Sequence, residues 1–134
     1  MQRVAIHDDT AVRGDSRQSL GSAGEAAAER LLRRKGLEIV ARGFRARCGE
    51  IDLIARDGAQ VVFVEVKTRT SDAFGRPSEA VTMQKRRRIA RVASTFLVKS
   101  GWTESACRFD VVEVLPVGAG WRVTHIPDAF RPGD

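Results

Sequence analysis

Two short runs decide the fold: Gly49-Glu50-Ile51-Asp52-Leu53-Ile54-Ala55, and Val61-Val62-Phe63-Val64-Glu65-Val66-Lys67-Thr68. Both are rich in β-branched and aromatic residues, and Asp57-Gly58 lies between them, a hairpin signal. With Asp57-Gly58 as a two-residue loop, paired positions sum to 115. Asp52 then faces Phe63 and Glu50 faces Glu65. Strand side chains alternate with period two. Glu50, Asp52, Glu65 and Lys67 would therefore share one side, with Ile51, Leu53, Val62, Val64 and Val66 on the other.

Three carboxylates and an ammonium are unusual in such apolar runs, because charged groups are seldom buried without partners. Like charges placed opposite each other repel. A hard divalent cation removes that repulsion, and Mg²⁺ commonly takes one or two carboxylates, waters and a phosphate oxygen. With Asp52 and Glu65 holding Mg²⁺ or Mn²⁺, Lys67 could orient or deprotonate a water, or stabilise charge developing on a phosphate. The competing reading is an ordinary solvated face of an amphipathic strand.

Outward from this hairpin, the pattern continues as α/β. A helix is expected over 20–35, with Ala27, Ala28, Leu31 and Leu32 on one face and Gly36 as its stop. A strand over 37–42 follows, then the hairpin, then a loop over 70–80. A second helix over 79–99 carries Ile89, Val92, Ala93, Phe96 and Leu97 on one face and Gln84, Arg87, Arg88 and Arg91 on the other. Strands over 108–115 and 121–126 complete the order α-β-β-β-α-β-β, a mixed sheet flanked by helices. Residues 1–18 read as a tail, 19–128 as one domain and 129–134 as a C-terminal tail.

The chain has 134 residues, 23 Lys+Arg against 17 Asp+Glu, and a formal charge of +6. Nineteen of the 23 cations are Arg, which suits bidentate phosphate contacts. No apolar stretch exceeds five residues, far below the roughly 20 needed to span a bilayer. Cys48 and Cys107 form no C-x-x-C pair and are expected to be free thiols in a reducing cytoplasm. The run Lys85-Arg86-Arg87-Arg88, with Arg91, is read as tracking phosphates. Arg69, Arg76, Arg45 and Arg47 could extend it. No base-reading helix is apparent, which favours backbone binding.

The strings Gly49 to Ala55 and Val62 to Arg69 together resemble the YraN family of small bacterial proteins. That family looks like the PD-(D/E)xK nucleases, and within them like archaeal Holliday junction resolvases. Gly24-Glu25, Val81 to Leu97 and Arg108 to Val112 also fit. The resemblance implies a restriction-endonuclease-like core, with metal-binding acids at Asp52 and Glu65, the catalytic lysine at Lys67 and a helix glutamate at Glu25. Ile51 replaces the proline that often precedes the aspartate.

Glu25 has another reading, because Ser22-Ala23-Gly24-Glu25 has capping-box spacing. Glu50 is either a further ligand or the partner of Arg47 or Arg69. Gln84 is either an accessory site residue or a solvated one. Asp110 could pair with Arg108. The expectation is a Mg²⁺- or Mn²⁺-dependent DNA nuclease, for which a two-fold branched substrate would suit a homodimer. The alternatives are a catalytically silent nucleic-acid-binding module of the same fold, and an interaction protein whose charge is incidental.

Overall fold

The computed structural model describes residues 4–8, 17–69 and 81–131, with side chains from 21 onward. The expected loop over 70–80, Arg76, the first residues expected in the second helix and residues 132–134 lie outside this set. The elements run β1 (Val4–Asp8), α1 (Arg17–Arg34), β2 (Glu38–Ala46), β3 (Gly49–Asp57), β4 (Gln60–Thr68), α2 (Met83–Ser100), β5 (Cys107–Val117) and β6 (Gly120–Phe130). From α1 onward this is the expected order. The reading of 1–18 and 129–134 as tails needs correction. Val4–Asp8 pairs with β6 as an edge strand, helix already begins at Arg17, and β6 carries Phe130 into the core.

The six strands lie in the order β1-β6-β5-β4-β3-β2. Every neighbouring pair is antiparallel except β4 and β5. That parallel pairing requires a crossover, and α2 supplies it. One face of the sheet packs on α1, with Ala27, Ala28, Leu31 and Leu32 against Leu53, Val64, Val112 and Trp121. The other packs on α2, with Ile89, Val92 and Ala93 against Ile54, Phe63, Val111 and Phe130. Aromatic rings extend this second core: Phe96 meets Phe44, Phe63 and Trp102 edge-on.

Both helices end alike. Gly36 and Gly101 sit at φ +90° and +76°. The amides of Gly36 and Leu37 reach back to Arg33 and Leu32, and those of Gly101 and Trp102 to Val98 and Leu97. This double return closes the last orphan carbonyls, and a left-handed residue is its requirement. At the start of α2, the Thr82 hydroxyl accepts from the Lys85 amide at 3.2 Å.

The β3–β4 register differs from expectation by two residues. Asp57 pairs with Gln60 and Leu53 with Val64, so positions sum to 117. The loop is Gly58-Ala59, with positive φ at Gly58 but not at Ala59. That is the pattern of a type II′ turn, which wants glycine first. A slip of two preserves each residue's face but brings Asp52 level with Glu65 rather than Phe63. Ile51 also departs from its expected place. It packs in the α2-side core with Phe44, while Leu53, Val62, Val64 and Val66 belong to the α1 side. The alternation breaks at Asp52, across from Gly43, which adopts φ +56°.

Candidate functional site

Asp52 sits where the β3–β4 ladder stops: pairing is regular from Leu53 to Asp57 but does not continue through Asp52. The freed Val66 amide instead donates to Asp52 Oδ2 at 2.8 Å. A carboxylate thus stands in for the neighbouring strand, which satisfies a buried backbone donor and fixes the carboxylate's orientation.

Four acids act on one another electrostatically around this break. Burial pushes Asp52 upward, nearby Glu65 adds to the shift, the Val66 amide opposes it, and Glu25 and Glu50 contribute further. The result is a carboxyl titrating at about 7 instead of 3.8. Glu25 is also raised, first by burial and then by Glu50 and Glu65. A shared field of like charges at a strand end is the arrangement that a divalent ion relieves. Among the described residues no three of His, Cys, Asp and Glu form a ready-made metal cage. An ion here would draw on one or two carboxylates and complete its shell with water, as Mg²⁺ does.

Glu25 reaches the site because α1 approaches the sheet closely at the preceding residue. A methyl group on Gly24 would lie 2.8 Å from Val114 Cγ2 and 2.9 Å from Thr68 Oγ1. Only glycine permits this contact, and the next side chain then lies within electrostatic reach of Glu50 and Glu65. Because α1 begins at Arg17, Ser22 is inside the helix and the capping-box reading of Glu25 falls. Glu25 also lines a hollow of about 360 Å³ with Glu29, Arg42 and Leu53.

Glu65 is buried, and its Oε1 meets Lys85 Nζ at 2.5 Å. Lys67 follows two residues on, half-buried and on the same face of β4 by strand alternation. Glu50 is exposed and pairs with Arg45 at 3.0 Å, not with Arg47 or Arg69. Arg69 pairs with Glu113 at 3.1 Å and is mostly covered. Gln84, Arg87, Arg88 and Arg91 are exposed on α2, as their spacing implied. Arg86 turns the other way, donating to the Val81 carbonyl and lying over the Phe130 ring.

A second polar cluster escaped sequence reasoning apart from the Arg108–Asp110 pair. Asp110 and His125 are fully buried, and His125 Nε2 lies 2.8 Å from Asp110 Oδ2. Lys35 Nζ lies 2.5 Å from His125 Nδ1. An ammonium can only donate, so Nδ1 accepts and Nε2–H donates to Asp110. Arg108 bonds the same carboxylate and also reaches Asp57 and Gln60. The Asp128 amide completes it at 2.9 Å, which holds Asp128 at φ +51°. Burial works to raise Asp110, but bonds from His125, Arg108 and that amide prevail and hold it below its ordinary range. Lys35 and His125 stand 90 positions apart, and no local pattern connects them.

Similarity to known proteins follows the same segment. The chain is 56% identical over 113 residues to the UPF0102 protein STH1475 of Symbiobacterium thermophilum, covering 84% of this chain and 96% of that one. It is 48% identical over 114 residues to a UPF0102 protein of Geobacter metallireducens, covering 85% and 93%. A UPF0102 protein of Nocardia farcinica is 54% identical over 99 residues, covering 74% and 78%. Residues 24–114, from the close-packed Gly24 to Val114 against which it rests, match uncharacterised protein family UPF0102, and the chain belongs to that family.

Proposed function

We propose that the chain is a divalent-metal-dependent nuclease of the PD-(D/E)xK type, acting on DNA and on branched or otherwise structured forms of it. The observation that carries this reading is the Asp52 carboxyl at the ladder break, level with Glu65 and pushed up to about 7 by burial and neighbouring acids. A site so arranged stores electrostatic cost that a bound cation removes. Asp52 and Glu65 would hold Mg²⁺ or Mn²⁺, with Glu25 positioning the metal or a water. When bound, the ion supplies Lewis acidity toward a phosphoryl oxygen and makes a coordinated water more acidic.

Lys67 extends from the same face of β4 as Glu65 and has no ion-pair partner among the described residues. It is therefore available to orient a water or to donate to the phosphate as charge builds. Arg87, Arg88 and Arg91 lie exposed on the helix whose first turn reaches Glu65, so a bound backbone would run past the carboxylates.

The test is purified protein with Mg²⁺ or Mn²⁺ against linear, flapped and four-way-junction DNA. Expected is metal-dependent cleavage that Asp52→Ala and Lys67→Ala abolish while low-salt binding persists. Cleavage that survives both substitutions would sink the assignment. Salt-sensitive binding with no nicking of any substrate would leave a silent binding module.

A further inference from the structure

Among the described residues, the cation that meets Glu65 comes not from β4 but from α2. Lys85 Nζ meets Glu65 Oε1 at 2.5 Å, with the carboxylate almost buried and the lysine about one-third exposed. The ammonium thus occupies one of the two oxygens' lone-pair sites that a divalent ion would need. The surrounding backbone is anchored. The Lys85 amide is tied to the Thr82 hydroxyl, and the Arg88 stem packs so closely on Gly49 that a methyl there would lie 3.0 Å from Arg88 Cδ. What can move is the Lys85 side chain, four methylenes on a fixed helical turn. Rotated away from Glu65, it remains on the helix that carries exposed Arg87, Arg88 and Arg91.

We propose that Lys85 is a built-in counter-cation: it neutralises Glu65 in the metal-free protein, is displaced when a divalent ion binds, and then adds its charge to the phosphate-binding face of α2. This rests on the reading of Asp52 and Glu65 as the metal-binding pair. Metal and polyanion then favour each other through one side chain. A phosphate that draws Lys85 away frees Glu65, and a metal that claims Glu65 releases Lys85. Such coupling is reciprocal by thermodynamic necessity. It also offsets one of the acids at that strand end while the chain is empty, without a second protein or a lid.

Mn²⁺ titration by calorimetry or electron paramagnetic resonance, at fixed ionic strength and without DNA, tests the idea. Lys85→Met should bind Mn²⁺ about three- to tenfold tighter than wild type, the scale of one partly buried ion pair. Arg87→Met removes the same charge from the same helix without touching Glu65, and should shift the affinity by under about twofold. In the wild-type protein, the Lys85 ammonium signal in ¹⁵N nuclear magnetic resonance should lose its carboxylate-bonded position as Mg²⁺ is added, a readout independent of any variant. Equal Mn²⁺ affinities for wild type and Lys85→Met overturn the proposal, as do equal gains for the two variants or an ammonium signal indifferent to Mg²⁺. Absence of Mn²⁺ binding in all three proteins overturns the metal-binding reading itself, and the proposal with it.

Discussion

The carboxylate of Asp52 takes the backbone amide of Val66 as its partner, at 2.8 Å, in the place where the facing strand would otherwise bond. This one contact ties the electrostatics of the acidic cluster to the integrity of the sheet, so the two can be probed together.

The raised Asp52 sets a pH signature. Its carboxyl titrates at about 7 when folded and near the ordinary 3.9 when unfolded. The folded chain therefore holds the proton more tightly, and stability from this group is present at low pH and falls as pH rises from about 4 to about 7. Asp52→Asn keeps an oxygen for the Val66 amide and removes the charge. In thermal melts without metal, this variant should exceed wild type in Tm at pH 8 and approach it near pH 4. Millimolar Mn²⁺ should raise the wild-type Tm at pH 8 and leave Asp52→Asn nearly unmoved. A Tm difference independent of pH would refute this.

Gly24 is a packing hinge between stability and site geometry. Its missing side chain is what lets α1 lie against Val114 and Thr68. Gly24→Ala gains helix propensity but overpacks this contact, and should cost about 1–3 kcal/mol in denaturant unfolding. Gly21→Ala is the control, since nothing lies within 4 Å of a methyl there and the substitution should be neutral or stabilising.

The Asp110 cluster predicts the opposite pH behaviour. Its depressed carboxyl contributes stability that is present above the unfolded value near 3.9 and is lost as pH falls through the lower folded value. Asp110→Asn leaves Arg108 and the Lys35–His125 pair without their shared anion, and should cost about 3–5 kcal/mol at neutral pH. Urea melts from pH 7 down to pH 2 should show that gap holding above pH 5 and narrowing below pH 4.

The exposed arginines of α2 make a salt-dependence prediction. For duplex DNA, each phosphate that a side chain neutralises steepens the fall of log K with log salt by about 0.9. Substituting Arg87, Arg88 and Arg91 together by Gln should lower that slope by up to about 3 while leaving Tm within a degree or so, since all three are exposed. An unchanged slope would refute phosphate binding by these arginines.

Strand alternation and helical spacing were enough to read six of the eight elements among the described residues near their places and a seventh, β2, in its first half. They were enough also to put Asp52, Glu65 and Lys67 on neighbouring strands. The two-residue register error has a local cause: Asp57-Gly58 and Gly58-Ala59 both offer a glycine, and only the backbone sign at Ala59 separates them. Edge strand β1 is five residues, Val-Ala-Ile-His-Asp, too short and too mixed in polarity to announce itself, and its partner β6 lies over a hundred residues away. The ion pair of Lys85 with Glu65 spans 20 positions and a change from strand to helix. In sequence Lys85 is one member of a basic run, and nothing in that run shows that its first residue turns inward while Arg87 and Arg88 face solvent.

Strand β2 closes the sheet on the side away from β1, and it is built so that the sheet ends there. A flat, unpaired strand edge is a template on which further chains can assemble. Here the ladder slips between Ile39 and Ala41, Gly43 bends the backbone, and Arg42 and Arg45 project more than half exposed. The same irregularity that breaks alternation across from Asp52 thus interrupts and charges the border strand. The distortion across from the candidate site also makes the outer border of the sheet a poor template for a further strand.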